Sequence, residues 1–279
     1  YGDVLFLVYS LQDYWKGSYN LSTLTSTYLT NDVGNWFREQ VAAHPEAKWR
    51  VALVHKNVFS GSGHQEDEET PLFRETMLPI FKDCEIDLVL QGHDHCYEII
   101  GPVDADTRTP ILNAISDVET VPMNMVSNMT GKKGGVFNVN DGTLYFIGAT
   151  CGTKRYNPNH KLTMEADYEK HKVENYYDLF TGMFGQPGRP SYSSFTVDGN
   201  IITVNSYKVY EGMEPMLFNT FHIKRTREHT PYSEKAHKTL EQMIQEYGTV
   251  KILHNGNMLI VRENIAYDTL GQLIYDNRD

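Results

Sequence analysis

The stretch "IDLVLQGHDHCYEII", residues 86–100, decides how the fold is read. An apolar run from Ile86 to Leu90 stops at Gln91-Gly92. His93 and His95 follow, with Asp94 between them. A short continuous apolar run bounded by a turn signal suits a fully buried strand. Two imidazoles and a carboxylate at its carboxyl end suit a site, provided that something faces them.

The preceding segment supplies the facing group. "WRVALVH" predicts a strand over 49–54 with His55 at its carboxyl end. "NVFSGSGHQEDEE" is a glycine-, serine- and acid-rich loop, and Thr70-Pro71 opens a helix to about Lys82. Strand, loop, helix, strand is the pattern of parallel neighbours joined by a right-handed crossover. His55 then lies at the same sheet edge as His93 and His95, the edge where open α/β sheets bind ligands.

Further out, Val4–Tyr9 reads as a buried strand and residues 11–30 as a long polar loop. Asn31 or Asp32 caps a helix to about Ala43, with Trp36, Phe37, Gln40 and Val41 at helical spacing. After Pro102 the pattern turns mostly to strands. Residues 104–135, with "TGKKGG", read as a flexible excursion, 142–149 as a strand, and 164–179 as a short helix. Residues 191–209 read as a hairpin turning at Asp198-Gly199-Asn200, and "LFNTFHIKR" as one more strand. The expected fold is α/β, part of a two-sheet sandwich flanked by helices. The strands near 4–9, 51–54 and 86–90 share one sheet in this reading. Those near 143–148, 192–197 and 201–208 form much of the other. Residues 1–228 are expected to form one domain. Residues 229–279 form a tail: a helix over 232–248, a hairpin at Asn255-Gly256 and a last strand, "GQLIY".

Composition narrows the classes. The chain has 279 residues, 40% hydrophobic and 12% aromatic, which is globular rather than disordered usage. A net charge of −11 argues against nucleic-acid binding. No apolar run reaches the roughly 18 residues of a membrane helix. Three cysteines, Cys84, Cys96 and Cys151, make no disulfide framework, and Cys96 reads as a small buried residue.

A His-x-His pair alone is weak: with 11 histidines, roughly 0.4 such pairs arise by chance. Two partly solvated loop histidines are the plain alternative. The strand-end glycine, the third histidine on the neighbouring strand and the intervening helix favour His55, His93 and His95 as metal ligands.

"VALVH" followed by "GHDHCYE" resembles the V-x-x-H and G-H-x-H blocks of calcineurin-like metallophosphoesterases, in the C-terminal half of their catalytic domain. The likeness is nearest to the purple acid phosphatase branch. Tyr97-Glu98, "GTLYFIGATCG" and "SSFTVDGNIITVNSYKV" look like that branch too. The resemblance implies phosphoester hydrolysis at two metal ions (Fe, Mn or Zn) about 3.5–4 Å apart that clamp the phosphate. It implies that His55 and His93 bind one metal and His95 the other. His64 matches the family's loop histidine, whose chemistry suits a general acid. Lys56 and Gln65 are the expected substrate contacts, with Gln65 and Ile99 standing where many relatives have His and Arg. The resemblance also implies a phosphorylated small-molecule substrate and an extracytoplasmic location, periplasmic or secreted. The last residues bear a weak likeness to C-terminal segments of exported Bacteroidetes proteins.

The family's D-x-H or D-x-G, G-D-x-x-D and G-N-H-E or G-N-H-D blocks are not found. The chain therefore reads as the C-terminal part of a catalytic domain, with an exposed sheet edge prone to self-association. Asp94, at i+1 from His93, is expected to point away, and Glu66, Asp67, Glu68 and Glu69 to be solvated. Residues 1–279 alone are then expected to bind at most one metal, weakly. A non-catalytic metallophosphoesterase-like module serving folding or partner contact is the competing function. A histidine-cluster metal-binding protein is the third.

Overall fold

A computed structural model of the chain describes residues 2–10, 29–30, 32–124, 129–158 and 176–230, and residues 249–254, 257–262, 265–267 and 273–276. The loop expected at 11–28, most of the helix at 164–179, the helix at 232–248 and the turn at Asn255-Gly256 lie outside the described residues. The chain divides into two compact units, Tyr1–Tyr232 and Ser233–Asp279.

The first unit is α/β. Strand β1 (Val4–Val8) leads by way of helix α1 (Gly34–Ala43) to β2 (Trp49–Leu53). Helix α2 (Glu69–Asp83) then leads to β3 (Leu88–Leu90). Helix α1 buries Phe37 and Val41 on one face, as its spacing predicts, but it begins at Gly34 after Val33 with no side-chain cap. Strands β1, β2 and β3 are parallel neighbours, with Val51 opposite Leu88 and Leu53 opposite Leu90. The central strand is buried along Trp49–Ala52, as a parallel strand covered on both faces must be.

Beyond β3 lie β4 (Tyr97–Val103), β5 (Ile115–Asn124), β6 (Met129–Asn138) and β7 (Thr143–Gly148). They are followed by β8 (Met183–Gly185), β9 (Ser191–Asp198), β10 (Ile201–Lys208) and β11 (Met216–Lys224). The hydrogen-bonded order is β1-β2-β3-β7-β4-β8-β6-β11-β10-β9, with β5 on the side of β6. One continuous ladder thus makes both layers of the sandwich. The fold-over is visible in the core. Val4, Trp49, Val51, Leu88, Leu144 and Phe146 from one end of the ladder pack in one cluster with Phe137, Ile202, Val204, Phe221 and Ile223 from the other. Trp49 Nε1 donates to Gly199 O at 2.9 Å, 150 residues away. A second cluster lies between the helices and the other face of the parallel strands, through Phe37, Val41, Phe73, Met77, Phe81, Val89 and Tyr145.

Two expectations need correction. Residues 104–135 are not a loose excursion, because β5 and β6 fill most of that span as an antiparallel hairpin. Its glycines pack: a Cβ on Gly135 would lie 2.6 Å from Val118 and 3.0 Å from Phe137, and φ there is +107°. Strand β7 is also not in the second layer; it pairs in parallel with β3, Leu88 opposite Leu144.

The end of β11 is tied back to the start of β3. Asp87, fully buried, accepts from Arg225 Nη1 at 2.7 Å, from Arg50 N at 2.8 Å and from His229 Nε2 at 3.0 Å. The second unit is a meander of β12 (Thr249–His254), β13 (Asn257–Arg262), β14 (Ile265–Tyr267) and β15 (Leu273–Asp276), each antiparallel to the next.

Candidate metal centre

The backbone ladder continues past the ends of β2 and β3 and so aligns the histidines. Val54 N donates to Leu90 O at 3.0 Å, and Gly92 N donates to His55 O at 3.1 Å. His55 and His93 thereby become neighbours, with His55 Nε2 3.3 Å from His93 Nδ1. His93 adopts a left-handed φ of +66°, the strained conformation that turns the chain sharply after Gly92. His95 lies to one side. Its Nδ1 donates to Lys154 O at 2.9 Å and its ring stacks on Tyr156 at 4.7 Å. A carbonyl can only accept, so the His95 Nδ1 carries a proton, and Nε2 is the nitrogen left to face a metal, as in an oriented metal ligand.

His64 arrives from the loop between β2 and α2. Its ring packs on His93 with centroids 3.7 Å apart, and its Nδ1 is 2.8 Å from Asp67 Oδ2. His64 Nε2 is buried without a partner. Three of the expected groups, His55, His64 and His93, thus meet in contact, and His95 joins through Tyr156, which also touches His64 at 5.3 Å. Tyr156 carried no sequence signal; it lies far along the chain in a segment with no regular pattern.

The acidic loop is a third correction. Asp67 faces His64 and stands 3.9 Å from His93 Nε2, and Glu69 pairs with Lys56 at 2.8 Å. Neither is simply solvated. Lys56 points inward: its Nζ is 3.1 Å from His93 Nε2. Gln65 is buried, with Oε1 lacking a partner. Asp94 turns away from the histidines, as expected for i+1, and is 1% exposed. Its Oδ1 accepts the Ser62 hydroxyl. Glu98 accepts the Gly61 N–H through both oxygens at 3.1 Å. Two buried carboxyl groups from the His93–Glu98 segment therefore fasten the loop that carries His64.

The electrostatics follow from crowding. Burial, then His64, Lys56 and His55, lower the His93 pKa to about 4, with Asp67 opposing. Burial and Lys56 lower that of His55 as well. Both imidazoles are neutral at pH 7, which metal ligation requires. Burial, with Asp94 adding, raises the Glu98 carboxyl well above its ordinary value.

Neutral imidazoles beside a carboxylate suit Zn, Fe or Mn. The described residues do not, however, assemble a two-metal set. Among them the group of three ligand atoms within 4.8 Å of one another is His64, Asp67 and His93, not His55, His93 and His95. Asp94 is committed to Ser62, so it cannot serve as a bridging carboxylate where it stands.

No protein-family model matches the chain. Its homologues are purple acid phosphatases. It is 35% identical over 85 residues to purple acid phosphatase 3 of Arabidopsis thaliana, covering 29% of this chain and 21% of that protein. It is 30% identical over 100 residues to purple acid phosphatase 4 of the same plant, covering 36% and 27%. The matches thus span about a quarter of the length of these relatives. A solved purple acid phosphatase, PPD1 from yellow lupin seeds, aligns with a TM-score of 0.48 and 16% identity over 81% of this chain and 32% of its own.

Proposed function

We propose that the protein is a metal-dependent phosphoester hydrolase whose site includes His55, His93 and His95 as ligands and His64 as the acid for the leaving oxygen. The observation that carries this reading is the meeting of His55, His93 and His64 at the carboxyl ends of two parallel strands. The purple acid phosphatase homologues support it. Bound Fe, Mn or Zn would supply Lewis-acid polarisation of the phosphoryl group. The chain's own part is to hold neutral imidazoles at fixed orientation, through the Lys154 carbonyl for His95 and the Gly92 turn for His55. His64, oriented by Asp67, presents Nε2 for proton delivery. In this reading the substrate is a phosphorylated small molecule and the location is extracytoplasmic. No helix among the described residues is long and apolar enough to cross a membrane.

The remaining ligands, a bridging aspartate above all, come in this reading from outside the described residues. The test compares residues 1–279 with the same chain extended upstream, each loaded with Mn, Zn or Fe and assayed on nitrophenyl phosphate. Turnover by the extended protein alone is expected. Two tight metals and turnover in residues 1–279 would show that this chain completes the site by itself. Neither form turning over would end the hydrolase reading.

A second reading, a non-catalytic metallophosphoesterase-like module, is favoured by one observation. Lys56 directs an ammonium at His93 Nε2, the nitrogen on the Asp67 side of the cluster.

A further inference from the structure

The place beside His93 Nε2 is already built for a cation, and a cation of the chain itself stands there. Lys56 Nζ makes two contacts, 2.8 Å to Glu69 Oε1 and 3.1 Å to His93 Nε2. An ammonium has donors only, so His93 Nε2 is the acceptor and presents its lone pair inward. His93 Nδ1 then carries the proton towards His55 Nε2. Asp67 Oδ2, 3.9 Å from the same Nε2, adds negative charge, and His64 covers the ring face. The Lys56 side chain is only 17% exposed, so it is packed into the cluster rather than reaching for solvent. An imidazole lone pair with two carboxylates, one on the turn before α2 and one at its start, is the donor set of a divalent transition-metal ion.

We propose that Lys56 is a tethered competitor for this chain's own metal position: its ammonium fills the place between His93 Nε2 and Glu69, and a divalent ion of the Zn2+ class, held by His93 with Asp67 and Glu69, binds only by displacing it. The proposal shares with the hydrolase reading only the use of His93 as a ligand, and it is tested without turnover.

The test is a calorimetric titration of Zn2+ into residues 1–279 and into Lys56→Met, which keeps the length of the stem and removes the charge. One weak equivalent is expected in the parent chain. Affinity at least about 10-fold higher is expected in Lys56→Met, because a like charge beside the ion is gone. Adding His93→Ala should abolish the gain. Lys154→Met removes a nearby charge that lies over Tyr156 instead, and a change below about 2-fold is expected at that screened distance. Equal Zn2+ affinity in the parent chain and Lys56→Met would overturn the proposal, as would a gain that survives His93→Ala. Should Lys56→Met not fold, the parent chain gives the answer by NMR. Zn2+ should move the ring nitrogens of His93 and the Cε signal of Lys56 over one concentration range. Movement of His93 with Lys56 unmoved, or no movement of His93, would overturn it equally.

Discussion

His55 lies where the side chain of residue 92 would be. A Cβ placed on Gly92 would sit 3.1 Å from His55 Nδ1 and 3.4 Å from His55 O. Gly92 is needed for this close approach and not for an unusual φ. Gly92→Ala should therefore fold, at a cost of about 1–2 kcal/mol from overpacking. It should also push the His55 ring away from His93. Gly63→Ala is the control, because nothing lies within 4 Å of its Cβ. The expected result is a shifted His55 ring signal by NMR in the first variant and none in the second. An unmoved ring in Gly92→Ala would mean that the backbone yields instead.

Glu98 is held protonated by burial and by Asp94. A raised carboxyl pKa means that the folded state keeps a proton which the unfolded chain releases above about 4.5. The stability from this group is fully present below that pH and is lost as pH rises towards the folded value. Glu98→Gln, neutral at every pH, should cost within about 1 kcal/mol at pH 5 and should flatten the decline at higher pH. Glu98→Ala should cost about 2–4 kcal/mol by leaving the Gly61 N–H unpaired above a cavity. Urea midpoints between pH 5 and 8 would decide. A parent chain that grows more stable over that range would contradict the assignment.

The Asp87 clasp is a stability element away from the site. Asp87→Ala leaves Arg225 and His229 buried without their carboxylate, and a loss of about 3–5 kcal/mol is expected. Arg225→Met added to Asp87→Ala should recover part of it. The His93 ring signals should stay in place, since residues 87 and 93 lie at opposite ends of β3. A change at His93 as large as the change in urea midpoint would show coupling along the strand.

His64→Ala, made in a form of the protein with turnover, should lower kcat by about 10²-fold on esters with poor leaving groups. The loss should be smaller for nitrophenyl phosphate, whose leaving oxygen needs little protonation. Equal loss on both would assign His64 to positioning.

The pairing of His55 with His93 was legible because it rests on alignments that sequence states directly. Two apolar runs separated by a helix give parallel neighbours, and residues just past their ends must then adjoin. Where Lys56 points was not legible. Inside β2 the alternation of faces would have placed it, but β2 ends at Leu53, and beyond a strand end the period of two no longer holds. Asp67 and Glu69 were misread for a related reason. An acidic loop is ordinarily solvated, and only the packing of α2 against the strands turns this one onto the histidines. The β5–β6 hairpin was hidden by its composition. Lys132, Lys133, Gly134 and Gly135 look like a loop until Val118 and Phe137 are seen filling the space that Gly135 leaves. Layer membership is hardest of all. Leu88 and Leu144 are partners by register, and no local pattern announces a contact between strands so far apart in the chain.

The bond from Trp49 Nε1 to Gly199 O has a meaning in time as well as in space. Its two ends are separated by 150 residues, and the apolar faces beside them wait as long for one another. At a synthesis rate of about 5–20 residues per second, Trp49 leaves the ribosome on the order of 10 s before its acceptor. During that interval Val4, Val51 and Leu88 lack Ile202, Val204, Phe221 and Ile223 of the opposite layer. The newborn strands that end beside His55 and His93 are thus the part of this chain most exposed to capture by chaperones or by each other, and the late strands β9–β11 end that exposure.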